Sequence, residues 1–307
     1  MILARNPGLL VLLMAALSPA QNSGSRDAPA NIRVHSDLVL INALVTDRHG
    51  SVITGLDGSQ FRLFEDGKEQ PITYCVSEDA PVSIGLVLDT SGSISAKLGL
   101  LKKAAIQFIL AANREDEYFL LEFRGRPEVV VPFTSDTDRL TRSIDRMEAG
   151  GNTALYDAVH MAVREMQHAN NPRRALLLVS DGIDNRSRHT ERATKRLVSE
   201  VDFPIYTINV YEPPSGNRYA IQRRDTGVLE LISAPTGGRA FAVRDPKKLT
   251  SVAELINSEI RHEYVLGYVP SIRVSDGRFH RVHVKVDLSS GAQYRVSNRA
   301  GYHAPDR

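Results

Sequence analysis

Five side chains in this sequence could share one chemistry. Asp89, Ser91 and Ser93 stand in Asp-x-Ser-x-Ser spacing within "DTSGS", directly after the apolar run "IGLVL". Thr153 follows the Gly-rich stretch "AGGN", and Asp181 ends "ALLLVSD". All five offer oxygen donors only, the chemistry of hard divalent cations such as Mg²⁺ or Mn²⁺. Alternate residues of Asp-x-Ser-x-Ser can turn two hydroxyls toward one point, with Gly92 letting the loop bend. Thr153 would add a third hydroxyl and Asp181 a second carboxylate. An ion bound partly through water keeps an exchangeable position, where it can take a carboxylate from another molecule.

Each part alone has an ordinary explanation. Asp, Ser and Gly are common turn formers, so "DTSGS" and Asp181-Gly182 could be turns. Thr153 alone could cap a helix. What argues for a site is the combination, in chain order, at the ends of strands and helices. Asp157 reads as a capping or solvent-facing helix residue, and Asp184 as a neighbour of Asp181 rather than a ligand.

The elements that must position these residues alternate. "VSIGLVLD" is a continuous apolar run, as in a strand covered on both faces. Helical spacing from Ala96 to Ala112 places Leu98, Leu101, Ala105, Phe108 and Ile109 on one side. Strands "EYFLLEF" and "EVVVPF" follow, then helices over 138–147 and 154–166, strand "RRALLLVSD", a helix over 190–200 and strand "FPIYTINVY". "TGVLELISAPTGG" reads as a short helix closed by Gly237-Gly238, followed by strand "RAFAV" and a last helix over 247–261. This alternation predicts α/β architecture: a mostly parallel central sheet with helices on both faces. In such sheets ligands bind beyond the carboxyl ends of the strands, where Asp89 and Asp181 fall.

Before and after this segment the pattern is β. Residues 32–76 alternate and carry a hairpin signal at Asp66-Gly67. The tail holds "HEYVLGYVP", "RFHRVHVKVDL" and "AQYRVSNRAGYHA", too little for a core of its own. The two flanks are expected to pair, making the α/β domain an insertion between β-sandwich strands. The expected organisation is 32–79 N-terminal strands, 80–261 α/β domain and 262–307 C-terminal strands.

The first twenty residues carry Arg5, a short apolar core and Ser18-Pro19-Ala20, the layout of a secretory signal peptide cleaved after Ala20. Residues 21–31 form a small-residue linker. The chain of 307 residues has net charge +2, with 42% hydrophobic and 24% charged residues, ordinary values for a globular protein. Its Lys and Arg are scattered, which argues against nucleic-acid binding. The apolar stretch is shorter than the roughly 20 residues that span a bilayer. A single cysteine, Cys75, excludes an internal disulfide and reads as a small buried hydrophobe.

The quoted motifs carry a resemblance. "DTSGS", "GGNTALYDA" and "SDG" resemble the three loops of the metal-ion-dependent adhesion site of von Willebrand factor type A domains. "FEDGKEQPI", "TALYDAV", "EYVLGYVP" and "NRAGYHAP" resemble the exported group called the VWFA-related Acidobacterial domain family. The resemblance implies a Rossmann-like domain with flanking strands, a bound Mg²⁺ or Mn²⁺, and a binding rather than catalytic role. Its implied ligands are Asp89, Ser91, Ser93, Thr153 and Asp181, and its implied partner is a protein offering an Asp or Glu carboxylate. Gln60 departs from the group, which usually has Asp there.

Enzymatic alternatives find less support in the residues. A Mg²⁺-dependent phosphatase pairs two carboxylates two residues apart, but Ser91 holds the second position. No Gly-x-Ser-x-Gly elbow or phosphate loop occurs. His280 and His283, three apart on a predicted strand, point to opposite faces and make no zinc pair. The function expected is an exported, metal-dependent adhesion or assembly module, periplasmic or secreted. The alternatives are a metal-stabilised structural protein of the envelope and a Mg²⁺-dependent hydrolase.

Overall fold

A computed structural model describes residues 38–77, 80–111, 113–210, 227–243, 245–271, 276–288 and 293–304. The expected signal peptide, the linker and residues 32–37 lie outside the described residues.

The central sheet has strand order β10-β9-β8-β5-β6-β7. Strand β5 (Val82–Asp89) lies between β6 (Glu117–Phe123) and β8 (Arg173–Ser180), parallel to both. Strands β9 (Ile205–Val210) and β10 (Ala240–Val243) continue the parallel set, and β7 (Pro127–Thr134) closes the other edge antiparallel. Every residue of β5 is buried, which explains its unbroken apolar run. Each fully buried Leu or Val of that run contributes about 1.5–3 kcal/mol relative to exposure.

Helices cover both faces. One face buries Leu101, Ala105 and Phe108 of α1 (Leu98–Leu110), Leu140 and Ile144 of α2 (Thr137–Asp145) and Ala253 and Ile256 of α6 (Leu249–Arg261). The other buries Leu155, Ala158 and Ala162 of α3 (Leu155–Glu165), Val198 of α4 (Glu191–Glu200) and Leu229 and Ile232 of α5 (residues 227–233). Helix α1 begins two residues later than its periodicity suggests, because residues 92–97 form a 3-10 turn ahead of it. Leu98, expected in the core, is half-buried, while Ala104 is buried. The α2 and α4 starts are capped by Asp136 and Thr190, whose side chains accept from the Arg139 and Ala193 N–H groups.

The flanks form two further sheets. In one, β1 (Val39–Asp47) pairs antiparallel with β11 (Tyr264–Tyr268) and β13 (Tyr294–Asn298), and β11 also pairs with β4 (Ile72–Val76). In the other, β12 (Phe279–Val286) pairs with β2 (Phe61–Glu65) and with β14 (Gly301–His303). Strands from before and after the α/β segment therefore share ladders, and together they bury Ile41, Val45, Leu63, Tyr264, Leu266 and Val284. Strand β3 (Lys68–Gln70) joins β2 through a turn with positive φ at both Asp66 (47°) and Gly67 (82°). That conformation matches the right-handed twist of the hairpin. Gln60 closes a capping box with Asp57, a role that Gln fills as well as an acid does. Cys75 is half-buried rather than buried, and partial burial pushes its thiol pKa up.

Polar contacts hold the ends of the α/β segment together. Asp116, just before β6, accepts from the Val82 N–H at 3.0 Å and pairs with Arg261. Arg173 of β8 donates to the carbonyls of Arg261 at 2.6 Å and Glu263 at 3.2 Å. The exit of α6 is thereby fixed to the amino ends of β5 and β8.

Candidate metal centre

The chain leaves β5 toward β6 on one side and later returns through β8 on the other. The carboxyl ends of β5 and β8 therefore flank the point where strand order reverses. Their register pairs Leu88 with Val179, which brings Asp89 level with Ser180. Ser180 Oγ donates to Asp89 Oδ2 at 2.6 Å, and the Ser91 N–H donates to Asp89 Oδ1 at 2.9 Å. Thr90 anchors the turn to β6, its N–H donating to the Phe123 carbonyl at 2.9 Å and its hydroxyl to Glu122 Oε1 at 2.7 Å. The hydroxyls of Ser91 and Ser93 lie 3.1 Å apart, Ser91 buried and Ser93 exposed.

Gly92 serves this loop differently from expectation. It does not adopt positive φ; it permits contact with the Thr153 loop. Its N–H donates to the Gly151 carbonyl at 3.0 Å, and a Cβ there would stand 3.1 Å from that oxygen. The Gly150 N–H returns a bond to the Thr90 carbonyl at 2.9 Å.

Thr153 is buried and held by its backbone. Its N–H donates to Asn185 Oδ1 at 2.9 Å, and its carbonyl accepts from the N–H groups of Asn185 (3.0 Å) and Arg186 (2.9 Å). It is not a helix cap: α3 has Ala154 at its N-cap with no side-chain bond, and Asp184 Oδ1 accepts from the Tyr156 N–H at 3.3 Å. The Thr153 hydroxyl makes no hydrogen bond among the described residues, leaving it free for a ligand.

Asp181 is buried, its Oδ1 accepting from the Ile183 N–H at 3.2 Å. Gly182 follows with φ 83°, a left-handed turn that suits glycine, and its N–H donates to Ser180 Oγ at 3.1 Å. Lys97 Nζ lies 3.9 Å from Asp181 Oδ2.

Asp89 is fully buried, and burial pushes its pKa up to about 6. Bonds from Ser180 and Ser91 work against that rise, and the nearby charge of Asp181 adds to it. Among the described residues no Lys, Arg or His pairs with Asp89. A buried carboxylate without a countercharge is costly, and a cation beside it would remove that cost. The donor set of two carboxylates and three hydroxyls fits a hard divalent ion. Among the described residues no group of three or more His, Cys, Asp or Glu could hold a metal ion, so the soft or imidazole-rich alternative has no counterpart.

Hydrogen bonds and register bring Asp89, Ser91, Ser93 and Asp181 to one rim, and backbone bonds attach Thr153 to it. Asp157 and Asp184 brace the third loop. Asp157 accepts from the N–H groups of Arg188 (3.0 Å) and His189 (2.9 Å), and Asp184 Oδ1 accepts from Ser187 Oγ. Sequence reasoning missed Ser180, Asn185 and Lys97. Ser180 had a signal, since it precedes Asp181 on a buried strand; Lys97 and Asn185 had none apart from proximity in sequence.

Residues 84–183 match the von Willebrand factor type A domain family. An uncharacterised protein of Borreliella burgdorferi is 25% identical over 187 residues, which are 54% of this chain and 55% of that protein. The chain thus spans about half the length of the curated relative it matches. A von Willebrand factor type A structure from Catenulispora acidiphila superposes with TM-score 0.51 at 14% identity, covering 90% of this chain and 76% of that one. BatB from Bacteroides thetaiotaomicron (TM-score 0.46, 16% identity, 58% of this chain, 98% of that one) is also similar. So is the von Willebrand domain of the type V pili tip protein Mfa5 from Porphyromonas gingivalis (0.48, 13%, 59% and 95%). The von Willebrand factor type A match lies within residues 84–183, and the fold is the α/β fold with flanking strands expected from the sequence.

Proposed function

We propose that the von Willebrand factor type A domain of this chain is an exported binding module whose rim holds one Mg²⁺ or Mn²⁺ and, through it, an acidic residue of a protein partner. Asp89, Ser91, Ser93, Thr153 and Asp181 are the proposed ligands. The observation that carries this reading is the buried Asp89 carboxylate, without a cationic partner among the described residues, at a rim of hydroxyl oxygens. The ion would supply positive charge and an exchangeable position for a carboxylate. The protein's part is to hold the donors. Ser180 fixes Asp89, Asn185 fixes Thr153, and the Gly92–Gly151 contact fixes the two loops to each other.

Binding is favoured over hydrolysis because among the described residues no histidine bonds to the hydroxyl of Ser91 or Ser93. No helix of the described residues is long and apolar enough to cross a membrane. Export is proposed from the first twenty residues alone. The test is a pull-down from the native cell envelope. Mg²⁺ should allow capture of a partner by the wild type, whereas EDTA or Asp181→Ala should abolish it. Capture that persists in both would leave the metal a structural part only.

A further inference from the structure

A second cleft, of about 850 Å³, lies at the opposite end of the central sheet from Asp89 and Asp181. Its place is set by Gly238, which packs on Ile205, the first residue of β9; a Cβ at 238 would stand 2.1 Å from the Ile205 carbonyl oxygen. One wall carries Glu230 of α5 and the turn over 237–239; the other is the outer face of β12 with Phe64 of β2 and Arg295 of β13. The walls are joined by backbone. Thr236 bridges Arg299, and the Ala300 N–H donates to the Pro235 carbonyl at 2.9 Å. The cleft is therefore built into the fold.

Strand alternation gives this wall a charge pattern. Val282, Val284 and Val286 are buried in the sandwich core, so Arg281, His283 and Lys285 all face outward. At the rise of an antiparallel strand, alternate side chains stand roughly 6.8 Å apart. Arg281, Lys285 and Arg295 form no ion pair with any described residue, although Lys285 Nζ lies 5.1 Å from the Phe64 ring centre. Arg62, on the same face, is already held by Glu69 in a two-point pair at 2.7 and 2.8 Å. Arg239 is likewise committed to Glu259. Among the described residues lining the cleft, Glu230 is the one carboxylate.

Free like charges at strand spacing repel one another and are complemented by acids at the same spacing. An extended polypeptide has that spacing, because its alternate side chains share the same backbone rise. An acidic polysaccharide places its charges by the length of its sugar ring instead. We propose that this cleft binds an extended acidic segment of a protein partner, with carboxylates at alternate positions, lying along β12. The site is separate from the metal rim and does not depend on it.

The probe is a labelled decapeptide of alternating Glu and Thr, titrated by fluorescence anisotropy against the full mature chain in EDTA at low salt. The alternating peptide should bind at least about threefold more tightly than one of equal composition with its five Glu contiguous. Binding should weaken with added salt as the charges are screened. Arg281→Gln/Lys285→Gln/Arg295→Gln should lose about tenfold in affinity with an unchanged melting temperature, since all three side chains are exposed. Arg281→Lys/Arg295→Lys, which keeps the charges, should bind within about twofold of wild type. Asp181→Ala should bind as wild type does, so failure of the metal reading leaves this result standing. The proposal is overturned if the neutralised variant binds equally well, if the contiguous peptide matches the alternating one, or if the charge-keeping variant loses binding. It is also overturned if Asp181→Ala abolishes binding, or if an oligogalacturonate displaces the peptide more strongly than unlabelled peptide does.

Discussion

Ser180 Oγ donates to Asp89 Oδ2 at 2.6 Å, joining the carboxyl ends of two neighbouring parallel strands. The same oxygen accepts from the Gly182 N–H at 3.1 Å, so one hydroxyl orients a proposed ligand and the turn after another. Ser180→Ala keeps every proposed ligand and removes this support. Partners of metal ligands typically govern affinity by about 10–100-fold. Ser180→Ala should weaken Mg²⁺ binding within that range, measured calorimetrically, with the fold intact by circular dichroism. Unchanged affinity would show that Asp89 is held without it.

Lys97 competes for the same charge. Its ammonium lies 3.9 Å from Asp181 Oδ2, and the two side chains are largely shielded from solvent. A cation entering the rim would meet this positive charge. Lys97→Met should therefore tighten Mg²⁺ binding, by about three- to tenfold if the pair is worth roughly 1 kcal/mol. Titration of both proteins at the same ionic strength decides this; weaker binding by the variant would make Lys97 a support for the site.

Asn185 holds Thr153 by side chain and backbone, at 2.9 and 3.0 Å. Asn185→Ala would leave the Thr153 N–H without its partner, at a cost of about 1–3 kcal/mol. The melting temperature should fall by several degrees in EDTA, with weaker Mg²⁺ binding besides. A variant that melts as wild type does would show that the loops do not need this bond.

Two buried carboxylates link stability to pH. Burial pushes the pKa of Glu263 up to about 8 and that of Glu259 up to about 7, the second despite its pairing with Arg239. Carboxylates whose pKa is higher folded than unfolded contribute stability in full below the unfolded value and lose it as pH rises through the folded value. In EDTA the melting temperature should fall as pH rises from about 4.5 to 8. Glu263→Gln should flatten part of that slope. A melting temperature that climbs over this range would contradict the burial argument.

Much of this architecture could be read from sequence because its signals were local. Buried β5 announced itself by an unbroken apolar run and the β2–β3 hairpin by Asp66-Gly67. The first loop was legible because Asp89, Ser91 and Ser93 stand within five residues. What remained hidden depends on contacts between distant segments. Gly92 looked like a bend, but its missing Cβ serves the approach of Gly151. Asp184 looked like a neighbour of Asp181, but it accepts from the Tyr156 N–H, 28 positions away. The cation row on β12 was written in the alternation of "RVHVK", yet nothing local says that α5 stands across from it.

The most direct measurement is a calorimetric titration of the purified chain with MgCl₂ and MnCl₂ at pH 7.5, beside Asp89→Ala and Asp181→Ala. The wild type should take up one ion per chain, and each variant should lose that binding while remaining folded. Absence of binding by the wild type, or equal binding by both variants, would contradict a metal centre built from Asp89, Ser91, Ser93, Thr153 and Asp181.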